Sequence, residues 1–289
     1  RAEFISNQYI QDLYRFFKIH PRKADFEDIF NWRFDFHNKL TLGDILNEDL
    51  KVLRSIAEYY FAKNHFEEAA EIYNLLLEDK KDGEIYQKLA YCHQKQGDFK
   101  KALDGYLKAE LYDLNRLWNL KKIALCYRNL KQPDKALEYY KEAEKLDPES
   151  LNNLLNIGHC YLELENYDEA LKCYFKVEYL KPGNKKVWRP IAWCSFLSGK
   201  KEQAEKYFTN LIEDEPGKHD FMNMGHVQWS IGKRIEALDF YKKSISEAGF
   251  SETEFLEVFE EDLPHLLNQG IDNEDVPIML DQLRYFLEE

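Results

Sequence analysis

The sequence contains no uninterrupted apolar run approaching the roughly 18 residues of a helical membrane span, and it opens without a charged and then apolar leader. Glycine and proline are scarce, 12 and 8 of 289 residues, which excludes the compositions of collagens and of Gly/Pro-rich disordered tracts. There is no H-E-x-x-H, no G-x-S-x-G, no paired Cys-x-x-Cys and no glycine-rich fingerprint after a strand. "SGKKEQ" at 198–203 has the Gly-Lys of a phosphate loop without its earlier glycine, and reads as a turn between helices. No basic run is present and the formal net charge is −13, so nucleic acid is not expected as a partner. Five cysteines, an odd number, suit a disulfide framework poorly and point to a reducing, cytoplasmic setting. The chain starts at Arg1 rather than Met, so we expect a piece of a longer polypeptide, and an upstream signal lies beyond this reading.

What is present is a beat. Cys92, Cys126, Cys160 and Cys194 are evenly spaced, as are Ala102, Ala136, Ala170 and Ala204, and each of these alanines is followed four residues later by an aromatic. A constant interval of about 34 residues marks a repeat architecture. In "LWNLKKIALCYRNL", Leu120, Ile123, Ala124 and Tyr127 recur at three- and four-residue steps, which places them on one helix face. "KQP" makes a turn, and "DKALEYYKEAEKLDP" predicts a second helix with Ala136, Tyr140 and Ala143 on one face, stopped by Pro148. Neither helix buries its apolar face alone, so each pair must stack on the next. Small residues at Gly158 and Ala170 let the paired helices approach.

The unit "LNNLLNIGHCYLELENYDEALKCYFKVEYLKPGN" resembles the tetratricopeptide repeat: Leu154, Ile157, Gly158, Tyr161, Ala170, Tyr174, Val177 and Pro182 fall at that family's signature places. The resemblance implies an all-α fold, an α-α superhelix or solenoid of six units starting near residues 50, 83, 117, 151, 185 and 218. Two units are one residue short, and the first, second and last have Lys81, Leu114 and Gly249 in place of the closing proline. The domain plan is a helical lead-in or cap over 1–49, the repeats over 50–250, and an acidic helical cap over 251–289.

The resemblance also bears on chemistry. Each ladder cysteine sits at a position the family fills with a small packed residue, and helices packed 8–10 Å apart hold equivalent positions too far from one another for a disulfide. Buried thiols acting as small hydrophobes are the expectation, with no metal, cofactor or catalytic residue. Adjacent His159 and Cys160 point about 100 degrees apart on a helix, which discourages shared coordination.

In this family the second, fifth, ninth and twelfth residues of each first helix tend to face a concave groove. Here that set holds six basic residues and two acidic ones, together with Trp118, Trp193 and Trp229. A basic, aromatic groove suits an acidic or carboxylate-ended peptide, because charge-assisted contacts and desolvated Trp and Arg anchor such partners. The candidate partner-binding residues are Tyr91, Trp118, Lys121, Arg128, Asn156, His159, Lys186, Arg189, Trp193, His226 and Trp229. Part of the family clamps a C-terminal carboxylate; Lys121, Asn156 and Lys186 fall at clamp-like places, but Leu125 and Pro190 replace the remaining Asn and Arg. The expected function is a noncatalytic protein-interaction scaffold. The alternatives are a spacer contacting the rest of a longer polypeptide, or a hidden His/Cys metal or enzyme site.

From Ser251 onward, twelve acids face Arg284 alone. "SETEFLEVFEEDLPHLLNQG" opens with capping-box spacing and "VPIMLDQLRYFLEE" carries a second apolar stripe. Two roles stay open for this segment: covering the edge of the last unit, or docking in a basic groove, either its own or that of another copy.

Overall fold

The computed structural model describes residues 50–288. The lead-in expected over residues 1–49 lies outside them. Among the described residues every element is helical and no strand occurs. The chain divides into two compact units between Leu114 and Asn115, at one of the linkers without a closing proline, and each unit is described by itself.

The first unit holds α1 (Leu50–Ala62), α2 (Phe66–Asp79), α3 (Gly83–Lys95) and α4 (Phe99–Glu110). They pack in sequence order. The Asp82 carboxylate accepts from the backbone N–H groups of Glu84 and Ile85, and Asp98 accepts from Lys101, so the first turns of α3 and α4 keep partners for donors a helix start otherwise strands. The core joins Leu53, Ala57 and Tyr60 of α1 to Ile72 and Tyr73 of α2 and to Leu89 and Cys92 of α3.

The second unit holds α5 (Arg116–Asn129), α6 (Pro133–Leu146), α7 (Leu151–Glu163), α8 (Tyr167–Leu180), a 3-10 turn at Lys185–Val187, α9 (Trp188–Leu197), α10 (Lys201–Asp214), α11 (Lys218–Ser230), α12 (Arg234–Ser246), α13 (Glu252–Asn268) and α14 (Asp275–Glu288). From α5 to α12 each helix packs on the next, the stacking order of an α-α superhelix. Pro133 opens α6 at its first position, and Pro190 sits in the first turn of α9; neither removes an intrahelical hydrogen bond. The last two helices leave the series. α14 packs on α12, while α13 sends its side chains to α9, α11 and α12, as described below.

Each first helix turns into its second through one residue in the left-handed region. Gly97, Gly199 and Gly232 take that place in three repeats, and "SGKKEQ" is such a turn. In the others it is taken by Asn64, Lys131 and Glu165, with φ of 64, 58 and 57°. A side chain there costs roughly 1–2 kcal/mol, which the packing of the flanking helices must offset.

The close approach expected at Gly158 has a specific cause. A Cβ at that position would stand 2.5 Å from Cε1 of Tyr174, the buried aromatic of the partner helix α8. Four repeats carry Ala at the corresponding place, Ala57, Ala90, Ala124 and Ala192, each fully buried. Only Gly158 and Gly225 are followed by histidine, and in both repeats the tyrosine ring leans across the glycine to reach that histidine.

All four ladder cysteines are free and fully buried. Burial pushes the thiols of Cys92, Cys126, Cys160 and Cys194 up to about 12, and that of Cys173 up to about 11. Thiolate is the reactive form, so native protein treated with iodoacetamide at about pH 8 should be labelled slowly at Cys173 and not at the ladder thiols. Concentrated guanidinium should open all five to labelling. Rapid labelling of Cys160 in the native state would contradict the packing described.

Candidate partner-binding site

The positions expected to line a groove form stripes at helical spacing, and their exposure changes systematically along the second unit. On α5, Trp118 is 38% exposed, while Lys121, Leu125 and Arg128 are half-buried. On α7, Asn152 is exposed and Leu155, His159 and Leu162 are half-buried. Toward α9, Lys186 and Arg189 are exposed, Trp193 is half-buried and Phe196 is buried. On α11 only His219 is exposed: Met222 and His226 are fully covered and Trp229 is 5% exposed.

What closes that end is the chain's own α13. The Phe259 ring lies 5.6 Å from His226, 5.8 Å from Tyr241 and 6.4 Å from Trp229, where it stacks. Phe255 meets Tyr241 edge-on at 5.6 Å, and His265 meets Trp193 edge-on at 5.8 Å. Asp262 Oδ2 stands 3.4 Å from His226 Nε2. Past the helix end, Gln269 donates to the carbonyl of Leu197 and accepts from Lys201 Nζ. Ser251 caps the start of α13, but Glu254 turns to Lys218 instead of completing the capping box. His226, Trp229 and part of Trp193, expected on an open groove, are therefore covered. The reason is apolar: Phe255, Phe259 and Leu266 bury one stripe of α13, and its acids, Asp262 excepted, lie mostly outside it.

The expected basic character is largely neutralised by acids drawn from outside the counted set. Lys121 Nζ lies 3.4 Å from Asp147 and donates to Ser150 Oγ. Arg128 donates to Glu163 at 2.9 Å and to Asn156 Oδ1 at 3.2 Å, which brings two candidate residues together across α5 and α7. Arg189 grips the fully buried Asp220 with both a Nε and an NH2 donor, at 2.7 and 2.6 Å, and Asp220 also accepts from the N–H of Gly217 at the start of α11. Arg189 is thus committed to holding α11, and this pairing keeps its guanidinium charged. Lys186 is different: among the described residues its ammonium has no partner, and only its backbone N–H is engaged, by Asn184.

His159 is half-buried between these charges. Its Nδ1 lies 3.0 Å from the Tyr174 hydroxyl, and the two rings meet edge-on at 5.6 Å. Burial, and next the nearby Arg128 charge, push its pKa below the ordinary histidine value, so the imidazole is neutral at physiological pH. Cys160 turns away into the core with Ala124, Ile157 and Tyr140, and so shares no site with His159. In the first unit, Tyr91 packs on Phe61 and Phe66 at 5.5 and 5.9 Å with Lys95 over its ring. The stripes of that unit are joined by ion pairs, Arg54 to Glu84 and Lys88 to both Glu58 and Glu84.

Residues 106–177 match the family model described as anaphase-promoting complex, cyclosome, subunit 3. No curated protein matches the sequence. Among solved structures, MamA is 21% identical over 63% of this chain and 94% of its own, with a TM-score of 0.52. Pseudomonas aeruginosa pilF is 18% identical over 74% of this chain and 98% of its own, with a TM-score of 0.55. A tetratricopeptide repeat protein from Parabacteroides merdae is 17% identical over 92% of this chain and 95% of its own, with a TM-score of 0.50. These are likenesses of fold. Together with the 34-residue beat and the stacked hairpins, they show that the chain has the tetratricopeptide-repeat fold. Among the described residues no helix is long and apolar enough to cross a membrane.

Proposed function

We propose that the chain is a noncatalytic interaction scaffold that receives a segment of another protein on the open stripes of α5, α7 and the start of α9. The observation that carries this reading is the contrast along one set of repeat positions: His226 and Trp229 of α11 are covered by the apolar stripe of α13, whereas α5 and α7 keep Trp118, Leu125, Leu155 and Leu162 partly open. Exposed Trp flanked by half-buried leucines supplies anchoring area, and the unpaired Lys186 favours an acidic group on the guest. The clamp for a chain-terminal carboxylate is a weaker fit, since Lys121 and Asn156 are engaged within the chain. Free, buried thiols accord with a reducing, cytoplasmic compartment.

Pull-down with the whole chain and with a Trp118→Ala/Lys186→Ala variant tests the reading. Loss of a desolvated Trp anchor should weaken capture of any groove partner by at least roughly 30-fold while the helical circular dichroism stays unchanged. Arg189 is left out of the variant because removing it would strand the buried Asp220. If both proteins capture the same partners equally, the scaffold acts as a spacer and the groove reading fails.

A further inference from the structure

We infer that the open groove at His159 takes an amphipathic helix of a partner protein that presents an aromatic residue and, three positions later, an acid. This rests on the groove reading above and specifies its guest. The chain holds two copies of one device, two repeats apart. Gly158-His159 is matched by Gly225-His226, and each histidine offers Nδ1 to the tyrosine of its own second helix, Tyr174 at 3.0 Å and Tyr241 at 2.8 Å. The ring pairs agree as well, at 5.6 Å and 62° against 5.5 Å and 63°. Leu155 and Leu162 flank His159 as Met222 and Trp229 flank His226.

At His226 the guest is visible. Phe259 of α13 packs on the imidazole and Asp262 faces Nε2. Only a helix brings residues three apart onto one face, so both contacts at a single histidine call for a helical guest rather than an extended one. At His159 the host half is in place and the guest half is absent: among the described residues Nε2 has no partner, and the ring is half-buried. When the Tyr174 hydroxyl donates to Nδ1, the ring proton sits on Nε2, which is then a donor aimed at an acceptor such as a carboxylate. Arg128, near His159, is already paired with Glu163 and Asn156, so the contact left for a guest acid is His159 Nε2 itself, at the place where Asp262 stands 3.4 Å from Nε2 of His226. The guest is a different protein and not the α13 of a second copy, because α13 already has Phe255, Phe259 and Leu266 buried in its own chain.

The probe is a fluorescein-labelled synthetic peptide with the sequence of residues 252–268, ETEFLEVFEEDLPHLLN, titrated with the full chain by fluorescence anisotropy. Saturable binding is expected, weakened at least about 10-fold by His159→Gln or Leu162→Glu in the chain, and equally by Asp→Asn at the place of Asp262 in the peptide. Leu162 is half-buried, so its variant serves if His159→Gln perturbs the repeat. Absence of saturable binding overturns the inference. So does binding that ignores both chain variants, which would mean the peptide displaces α13 at His226. A partner lost on Trp118→Ala/Lys186→Ala in a chain that does not bind the peptide would leave the scaffold reading standing and remove the helical guest alone.

Discussion

Phe259→Ala is expected to lower the stability of the C-terminal repeats by about 3–5 kcal/mol, the range for deleting a buried aromatic ring. Phe259 is only 2% exposed and its ring touches His226, Trp229, Tyr241 and Phe255, so the cavity would be lined by three other aromatic rings and an imidazole. Neighbouring contacts are nearly all that a repeat array has, so the loss should be felt locally. Urea unfolding followed by tryptophan fluorescence should show an earlier transition, because Trp193 and Trp229 both lie against α13. Amide exchange should quicken through α13, while α5 to α8 keep their protection. An unchanged urea midpoint with unchanged exchange in α13 would mean that α13 is not held on α11 by this ring.

Gly225→Ala is expected to cost about 2 kcal/mol, an overpacking penalty of about 3 kcal/mol less the gain of about 1 kcal/mol that alanine brings to a helix interior. The added methyl would stand 2.3 Å from Cε1 of Tyr241, and that ring has little freedom. Its hydroxyl is bonded to His226 Nδ1 at 2.8 Å, and Phe255 and Phe259 close on it from α13. Four other repeats carry alanine at this place, so a tally of the repeat positions would rate the change harmless. Thermal or urea unfolding decides between the two views; equal or higher stability in the variant would show that Tyr241 swings aside without loss.

Much of the fold is legible without coordinates because the repeat constrains many positions at once. The even spacing of Cys92, Cys126, Cys160 and Cys194 places one small buried group per first helix, and the structure has all four at zero exposure. Pro133, placed by the sequence at the end of the turn "KQP", is already the first residue of α6, and Pro190 lies in the first turn of α9. The left-handed turns are half legible: Gly199 announces one, but Lys131 and Glu165 take the same backbone conformation with side chains that give no sign of it. The candidate site is less legible. Counting charges on the groove stripes misses Asp147, Glu163 and Asp220, which come from linkers and from other helix faces and neutralise Lys121, Arg128 and Arg189. Trp229 and His226 share the register of the residues expected to line a groove, yet nothing in the register says that Phe259, on a helix outside the repeat, lies across them.

The sequence by itself determined the all-α class, the hairpin unit and the small residues where helices meet. All of these follow from spacings of three, four and about 34 residues, and spacing is a property of one chain segment against a regular helix. The tertiary structure alone decided which stripes are open. Burial of Phe255, Phe259 and Leu266 joins a non-repeating helix to repeats many residues earlier, and that choice rests on shape and desolvation between surfaces whose sequences carry no common period.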